Sequence, residues 1–341
     1  MKAAILREFR TPLTFEEVAT PKLEAHEVLI AVEACGVCHS DLHVAAGDWP
    51  QIVPITKRPL ILGHEITGRV VEMGSSVTDL ALGDRVGVAW VHWTCGECGF
   101  CREGNENLCV KQKITGVTVD GGFAELIKAP ASHALKIPDG LSYVEAAPLF
   151  CAGVTVYRAL RRAKIEAGQR LAIFGVGGLG HLAVQIAHGL GAVVTAIDVS
   201  EDKLTYARSL GADSALNAAT AKVVKELRAV GGVHVALVTS AAKAAYDMAF
   251  PCVRPGGTLL VVGLPSEPLC FAAVMMAALE VHIQASSVGT RQDMKEMLVM
   301  AATGKVRCQV KTRPLPEANE VLEELRRGSV PGRVVLLPHS P

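Results

Sequence analysis

A glycine-rich turn between an apolar segment and an amphipathic helix pattern constrains the fold of this chain more than any other feature. Residues 171–174 are predicted to form a short buried strand, and they lead directly into Gly175-Val-Gly177-Gly178-Leu179-Gly180. In the segment that follows, Leu182, Ile186 and Leu190 share one helical face. Glycines at this spacing permit a tight turn and a close backbone approach to a pyrophosphate, while the helix N-terminus offers unpaired N–H groups to the phosphates. The pattern predicts a dinucleotide site.

The next predicted strand of this region ends in an acidic residue. Residues 193–197 form the strand pattern, and Asp198 follows it, eighteen residues after Gly180. A carboxylate at this position accepts the hydroxyls of the adenosine ribose and repels a 2′-phosphate, which favours NAD over NADP. Ser200 is predicted to cap the following helix. Further strands are predicted at 214–216, 233–239, 258–262 and 281–285. Strands alternating with helices predict an α/β, Rossmann-type doubly wound parallel sheet.

The first 150 residues have a different pattern. Apolar residues alternate with others over 28–33, and short strand candidates recur at 68–73, 84–91 and 122–128, separated by Gly and Pro. Many short strands with glycine turns predict a mostly β unit of barrel-like type.

Four cysteines lie close together within this β unit, at Cys95, Cys98, Cys101 and Cys109. Two-residue spacers turn successive sulfurs toward one point, and four thiolates close a tetrahedral zinc site without an open position. The pattern therefore predicts a structural zinc in a lobe spanning about residues 92–112. An iron–sulfur cluster and a nucleic-acid zinc ribbon are weaker alternatives. The spacing fits neither of the cluster runs known from ferredoxins, and the neutral charge balance argues against the ribbon.

A second group of metal-ligand residue types precedes this lobe, in Cys35-Gly-Val-Cys38-His39-Ser40-Asp41-Leu42-His43. With His64 and Cys151 downstream, it could complete the three-ligand set of a catalytic zinc. The His64-Glu65 pair lacks the second His of the metalloprotease helix motif, which excludes that class. A redox pair at Cys35 and Cys38 is the competing interpretation, but no βαβ pattern follows it.

Composition excludes several classes of function. Lys plus Arg equals Asp plus Glu at 34 each, so the chain lacks the positive charge for a sequence-independent grip on nucleic acid or an anionic membrane. The longest apolar run, residues 270–279, is too short to span a bilayer, and charge follows too soon at the start for a signal peptide. Ten cysteines in such a chain indicate metal sites or thiols rather than disulfides, and we expect a cytoplasmic protein.

Taken together, these motifs resemble a zinc-dependent alcohol dehydrogenase of the medium-chain dehydrogenase/reductase superfamily, of the bacterial and yeast NAD-linked type. The resemblance runs essentially end to end and includes Cys151-Ala-Gly-Val-Thr155 and Gly332-Arg333-Val-Val. It implies a GroES-like, mostly β catalytic domain over 1–152, a Rossmann domain over 153–287, and a return to the first domain over 288–341. The implied reaction is reversible hydride transfer between a primary or short secondary alcohol and NAD, giving an aldehyde or ketone.

The resemblance also implies roles for individual residues. Cys38, His64 and Cys151 would bind the catalytic zinc, with Glu65 adjacent and Asp41 orienting His64. Ser40 and His43 would relay a proton through the nicotinamide ribose. Contacts with the coenzyme are expected for His39, Thr155, Gly175, Gly177, Gly178, Leu179, Gly180, Asp198, Lys203, Val262 and Arg333. Two tryptophans near the metal motifs, Trp49 and Trp90, are expected to line the substrate pocket.

Other interpretations remain open on the sequence. A polyol or amino-alcohol dehydrogenase would keep the fold and cofactor, although those relatives often carry an acidic third zinc ligand where this chain has Cys151. A redox-sensing binding protein would keep zinc and NAD, but it would have no use for Ser40 and His43. Relatives assemble as dimers or tetramers, and we expect a homotetramer.

Overall fold

The structure is a computed structural model that describes residues 1–330 and 332–339. The chain divides into two compact units. The first contains Met1–Val154, Gly289–Thr303 and the described residues from Cys308 onward, and the second contains Thr155–Val288 and Gly304–Arg307. The domain boundaries expected from the resemblance lie close to these limits and stay a prediction.

The first unit is built mostly from strands. They are β1 (Lys2–Leu6), β2 (Thr14–Glu17), β3 (Glu27–Val37), β4 (Leu60–Ile61), β5 (Glu65–Met73), β6 (Arg85–Val88), β7 (Val91–Trp93), β8 (Lys113–Ile114), β9 (Leu126–Pro130), β10 (Leu135–Lys136), β17 (Val310–Pro314) and β18 (Arg333–Leu337). They form a sheet in the order β10-β6-β5-β3-β18-β17 with β9 also on β3, a smaller sheet β2-β1-β4, and the ribbon β7-β8.

Strand β3 organises the first unit. Ten of its eleven residues are buried, because β5, β9 and β18 all pair with it and side chains on both of its faces are covered. The strand predicted over 28–33 is confirmed, but the alternation of residue types along it does not mark one buried and one exposed face. Strand β18 pairs antiparallel with β3, with Leu336 opposite Cys35, so the C-terminal part of the chain completes this sheet.

Helices of the first unit connect its strands and are mostly short. They are α1 (His39–Ala46), α2 (Gly99–Arg102), α3 (Tyr143–Ala146), α10 (Arg291–Ala302) and α11 (Ala318–Arg326). Helix α4 (Ala152–Arg162) contains the boundary between the two units. Cys38 is the N-cap of α1, so the abrupt change from β3 to α1 positions the first predicted metal ligand.

The second unit is the predicted parallel sheet. Its strands are β11 (Arg170–Phe174), β12 (Val193–Asp198), β13 (Ser214–Asn217), β14 (Val233–Val238), β15 (Val253–Val261) and β16 (His282–Ala285). Its further helices are α5 (Gly180–Gly189), α6 (Glu201–Ser209), α7 (Val223–Ala229), α8 (Lys243–Ala249) and α9 (Ala273–Leu279). The strands lie in the order β13-β12-β11-β14-β15-β16. Successive strands are added on one side of β11 up to β13 and on its other side from β14 onward, which confirms the Rossmann-type sheet.

Some local predictions are wrong. The strand predicted over 122–128 begins only at Leu126, because the glycines before it bond the backbone near Gly63 instead. Ser200 is the N-cap of α6 but makes no side-chain capping bond. Cys252 is buried, whereas Cys270 is exposed. Among the described residues, no helix has both the length and the apolarity to cross a bilayer.

Candidate active site

Three distant segments bring Cys38, His64 and Cys151 together. Cys38 ends the β3 segment, His64 precedes β5, and Cys151 follows the 3-10 turn Ala147–Phe150. The sulfurs of Cys38 and Cys151 lie 3.9 Å apart. The ligand atoms of these three residues and of Glu65 all lie within 4.8 Å of one another, and all four residues are buried. Their role as metal ligands stays a prediction, but the geometry that it needs is present.

Asp41 fixes two of these segments through one buried carboxylate. Its Oδ1 accepts hydrogen bonds from His64 Nδ1 at 3.0 Å and from the Gly63 N–H at 3.1 Å, and its Oδ2 accepts the Cys38 N–H at 2.8 Å. With its proton on Nδ1, the His64 ring keeps the lone pair of Nε2 free for a metal. His64 Nε2 is buried and has no hydrogen-bond partner within the described part of the chain.

These atoms fit a zinc ion. Zinc–sulfur bonds of about 2.3 Å in a tetrahedral arrangement separate two sulfurs by about 3.8 Å, close to the spacing found for Cys38 and Cys151. A buried imidazole nitrogen without a partner costs free energy, and a metal ligated there removes that cost. Two sulfurs and one nitrogen leave a position open for a substrate oxygen.

The two thiols differ in acidity because they share a hydrogen bond. The hydrogen bond from Cys151 lowers the pKa of the Cys38 thiol well below its usual value, and His64 acts in the same direction. The same contact, together with burial, raises the pKa of the Cys151 thiol. Burial opposes a charge on His64, but the Asp41 carboxylate and the Cys38 sulfur together outweigh burial and raise the pKa of the imidazole. Cys38 is therefore the more acidic of the two thiols.

Glu65 and Arg333 form a buried ion pair beside the sulfurs. Burial raises the pKa of Glu65 to about 7, although the Arg333 guanidinium opposes this. The pair depends on Gly36, because a Cβ placed there would lie 1.9 Å from Glu65 Oε2. The Arg333 guanidinium bonds Glu65, and the residue is 3% exposed; the coenzyme contact expected for Arg333 stays a prediction.

The predicted relay residues lie on α1. Ser40 Oγ is 3.7 Å from Cys38 Sγ, and His43 Nδ1 is 2.9 Å from Asp48 Oδ2. Sequence reasoning missed Asp48. Gly47 could have indicated it, because a glycine that ends α1 in a left-handed turn brings the next residue back toward His43.

The two predicted pocket tryptophans contact histidines of the site. The Trp90 ring meets the His64 ring edge-on at 4.9 Å between centroids, and the Trp49 ring lies 4.9 Å from that of His43. Both tryptophans are half-buried against the core of the first unit. A role in lining the substrate pocket stays a prediction.

The four-cysteine lobe (about residues 92–112) gathers its sulfurs as predicted. Cys95 Sγ lies 3.5 Å from Cys109 Sγ and 3.9 Å from Cys101 Sγ, and all four sulfurs lie within 4.8 Å of one another. The backbone N–H of Cys98 donates to Cys95 Sγ at 3.4 Å. Backbone donors of this kind lower the pKa of Cys95 to about 6. Four converging sulfurs, one already acidic, fit a tetrahedral zinc.

The glycine turn has the geometry that a pyrophosphate needs. Gly175 has φ +99°, and a Cβ on Gly180 would lie 1.9 Å from the Gly175 carbonyl oxygen, so both positions require glycine. The space around Gly177 is open within 4 Å. Asp198 ends β12, and its carboxylate accepts the backbone N–H groups of Val176 at 2.7 Å and Val199 at 2.8 Å. These bonds hold the carboxylate beside the turn.

The remaining predicted coenzyme residues are spread over the two units. Thr155 and Val262 are buried, and Lys203 is half-buried in the first turn of α6. His39, at the start of α1, is exposed. Whether these four contact the coenzyme stays a prediction.

A Rossmann sheet joined in one chain to a β unit with a Cys-His-Cys group and a four-cysteine lobe defines a zinc-dependent dehydrogenase of the medium-chain type. Two family models match the chain: the alcohol dehydrogenase GroES-like domain over residues 24–139 and the zinc-binding dehydrogenase over residues 178–303. The chain belongs to the family of zinc-binding alcohol dehydrogenases.

Individual relatives agree with this assignment. An alcohol dehydrogenase from Geobacillus stearothermophilus is 49% identical over 337 residues, covering 98% of each chain. The structure of the alcohol dehydrogenase from the archaeon Aeropyrum pernix superposes with a TM-score of 0.93 at 38% identity, covering 99% of this chain and 100% of that one. That of acetophenone reductase from Geotrichum candidum, in complex with NAD, gives 0.90 at 33% identity, covering 98% and 96%. The predicted fold class, the alcohol dehydrogenase activity and the use of zinc with a nicotinamide dinucleotide, either NAD or NADP, are confirmed.

Proposed function

We propose that this enzyme interconverts primary or short secondary alcohols with their aldehydes or ketones, with a catalytic zinc held by Cys38, His64 and Cys151. The observation that carries the proposal is the buried His64 Nε2, which lacks a partner among the described residues and belongs to the same tight group as two sulfurs 3.9 Å apart. Zinc, when bound, would stabilise the deprotonated form of a hydroxyl by up to about 12 kcal/mol, judged from its effect on the pKa of water, and NAD would accept the hydride.

The protein residues hold the ligands and move the proton. Asp41 keeps the His64 ring in the tautomer that presents Nε2. Ser40, 3.7 Å from Cys38 Sγ, is positioned to receive the hydroxyl proton, and His43, whose Nδ1 lies 2.9 Å from Asp48 Oδ2, passes it on toward solvent. A positioned base typically contributes about 10²–10⁴-fold, less than the metal, so the relay is the smaller contribution.

We further propose NAD rather than NADP as the coenzyme of choice. Backbone N–H groups hold the Asp198 carboxylate beside the glycine turn, and a 2′-phosphate near it would meet like charge. The four-cysteine lobe is proposed to bind a second, structural zinc, because four thiolates leave no position for substrate.

Substrate size, assembly and location belong to the same proposal. The rings of Trp49 and Trp90, each 4.9 Å from a histidine of the site, favour small or slender alcohols. A polyol or amino-alcohol substrate is the alternative, which the thiol of Cys151 disfavours. We propose a homotetramer in the cytoplasm, the latter because none of the ten cysteines, all of which are described, forms a disulfide.

The test is a matched pair of substitutions three residues apart. Cys38→Ser should remove one zinc per chain and abolish NAD-dependent oxidation of ethanol, butanol and benzyl alcohol, while NADH still binds. Cys35→Ser, at a buried thiol outside the metal group, should keep both zinc ions and the activity. Turnover retained by Cys38→Ser would refute the ligand set, and turnover lost in a folded, zinc-loaded Cys35→Ser would instead favour a redox pair.

A further inference from the structure

Arg291 joins several parts of the first unit from the first position of α10. Its backbone N–H and its Nε donate to Glu106 Oε1 at 2.9 and 2.8 Å, and its Nη2 donates to Glu106 Oε2 at 2.9 Å. Its Nη1 donates to the Ser132 carbonyl oxygen at 3.0 Å. A guanidinium that engages both oxygens of one carboxylate fixes direction as well as distance. The contact therefore sets the orientation of α10 against its partners.

Glu106 carries this contact into the four-cysteine lobe. It begins the 3-10 turn Glu106–Leu108, and its carbonyl oxygen accepts the N–H of Cys109 at 2.9 Å. The Glu106 side chain is only 13% exposed, so solvent screens the pair less than it screens a surface ion pair. Arg291 is thus connected to Cys109, the last predicted zinc ligand of the lobe, through two hydrogen bonds of Glu106.

The other end of the lobe is reached through Ser132. The next residue, His133, lies with its Nε2 3.1 Å from Thr94 Oγ1, and Thr94 directly precedes Cys95. Arg291 therefore connects with the segments that carry the first and the last cysteine of the lobe.

Helix α10 also packs beside Cys151. It contacts the 3-10 turn Ala147–Phe150 that ends at Cys151. Beyond Cys151, a Cβ on Gly153 would lie 3.5 Å from the Cγ of Met297, which is fully buried on α10. Just before α10, a Cβ on Gly289 would lie 2.2 Å from Val154 Cγ2. The residues before and after Cys151 in sequence therefore both pack against α10 or the residues that lead into it, and close packing of this kind transmits a displacement of the helix.

We propose that Arg291 is a positioning residue that couples the four-cysteine lobe to Cys151 through the rigid body of α10. When the lobe holds its metal, Glu106 holds Arg291, and α10 holds Cys151 at the catalytic position. Loss of the lobe metal or of the Glu106–Arg291 pair lets α10 shift, which changes the geometry of the catalytic metal site. This inference rests on the proposed function, because it takes Cys151 as a ligand of the catalytic metal.

The experiment replaces the catalytic zinc by Co²⁺ in the full-length enzyme and records the visible and thiolate-to-cobalt absorption bands. The variants are Arg291→Met, Arg291→Lys and Glu106→Gln. Arg7→Met is the matched control, because Arg7 also engages both oxygens of one carboxylate, that of Glu16, in the first unit. The rate of zinc transfer from the lobe to a chromogenic chelator and the values of kcat and KM for NAD are measured in parallel.

We expect Arg291→Met to shift the cobalt bands, to speed zinc release from the lobe, and to lower kcat about tenfold with little change in KM for NAD, as for partners that orient metal ligands indirectly. Arg291→Lys keeps the positive charge but cannot bond both carboxylate oxygens of Glu106 as the guanidinium does. Its kcat should lie between those of Arg291→Met and the parent enzyme. Glu106→Gln should resemble Arg291→Met, and Arg7→Met should match the parent enzyme.

A purely stabilising ion pair would give a different result. Arg291→Met would then unfold at a lower temperature, with cobalt bands and kcat unchanged, and this outcome would overturn the coupling. If Arg291→Met does not fold, Glu106→Gln decides between the two on the same readouts. A parent enzyme that takes up no cobalt at the Cys38 and Cys151 site would refute the proposed function itself, which is distinct from unchanged bands in a loaded variant.

Discussion

Substituting Asn for Asp41 tests the central geometry of the metal site. The Asp41 carboxylate is 1% exposed and accepts three hydrogen bonds, from the Cys38 N–H, the Gly63 N–H and His64 Nδ1. An amide has one acceptor oxygen, which serves His64 and Gly63 at best. Its NH₂ group then faces the Cys38 N–H, donor against donor.

The magnitude follows from this count of bonds. One hydrogen bond to a charged acceptor is lost, worth about 1.5–3 kcal/mol, and the other two lose their charge assistance. We expect the free energy of unfolding to fall by about 3 kcal/mol. Because the carboxylate also orients His64, the affinity for the catalytic zinc should fall about 10–100-fold.

The assay is competition for zinc with a chelator of known affinity, combined with chemical denaturation. Asp84→Asn is the control, because Asp84 also accepts a backbone N–H, that of Ala81 at 2.9 Å, but pairs with Lys136 near the surface. It should change stability by no more than about 1 kcal/mol and leave zinc affinity unchanged. A folded Asp41→Asn enzyme with the parent zinc affinity would refute the reasoning that this carboxylate orients His64.

Three further predictions concern the coenzyme, the relay and the response to acid. Asp198→Ala should lower the preference for NAD over NADP, measured as the ratio of kcat/KM values, by at least about tenfold, because it removes like charge beside the 2′-phosphate; an unchanged ratio would contradict the assignment. His43→Ala should lower kcat at pH 7 by about 10–100-fold, with partial recovery in imidazole buffer; no loss would exclude the relay. Burial lowers the pKa of both His92 and His133 to about 4. Between pH 6.5 and 4 the unfolded chain therefore binds more protons than the folded chain. The contribution of these histidines to the free energy of unfolding should be constant above pH 6.5 and should decrease below it, by up to about 3 kcal/mol per histidine. Replacing both by Gln should flatten that part of the stability–pH curve, and an unchanged slope would contradict it.

The elements that sequence reasoning predicts best are those where local chemistry decides the structure. The glycines at 175 and 180 occupy backbone positions that other residues would not tolerate, and Asp198 ends its strand as expected. The cysteine spacers of the lobe act within a few residues. In each case the residues that form the feature are neighbours in the chain.

What could not be predicted depends on contacts between distant segments. Glu65 and Arg333 are separated by 268 residues, so no local pattern indicates that the guanidinium bonds this carboxylate. The sequence locates strand β3, but its pairing with three other strands, which buries both of its faces, is a property of the folded sheet. Arg291 lies 185 residues from Glu106, and its connection to the cysteine lobe is visible only in the folded chain.

The account depends most directly on a single metal ion shared by Cys38, His64 and Cys151. A crystal of the zinc-loaded enzyme, measured with X-rays at the zinc absorption edge, locates every zinc without reference to activity. We predict two anomalous peaks per chain, one in the four-cysteine lobe and one at about 2.3 Å from the sulfurs of Cys38 and Cys151 and about 2.0–2.1 Å from His64 Nε2. A fully loaded chain with no peak among these three residues would contradict the account.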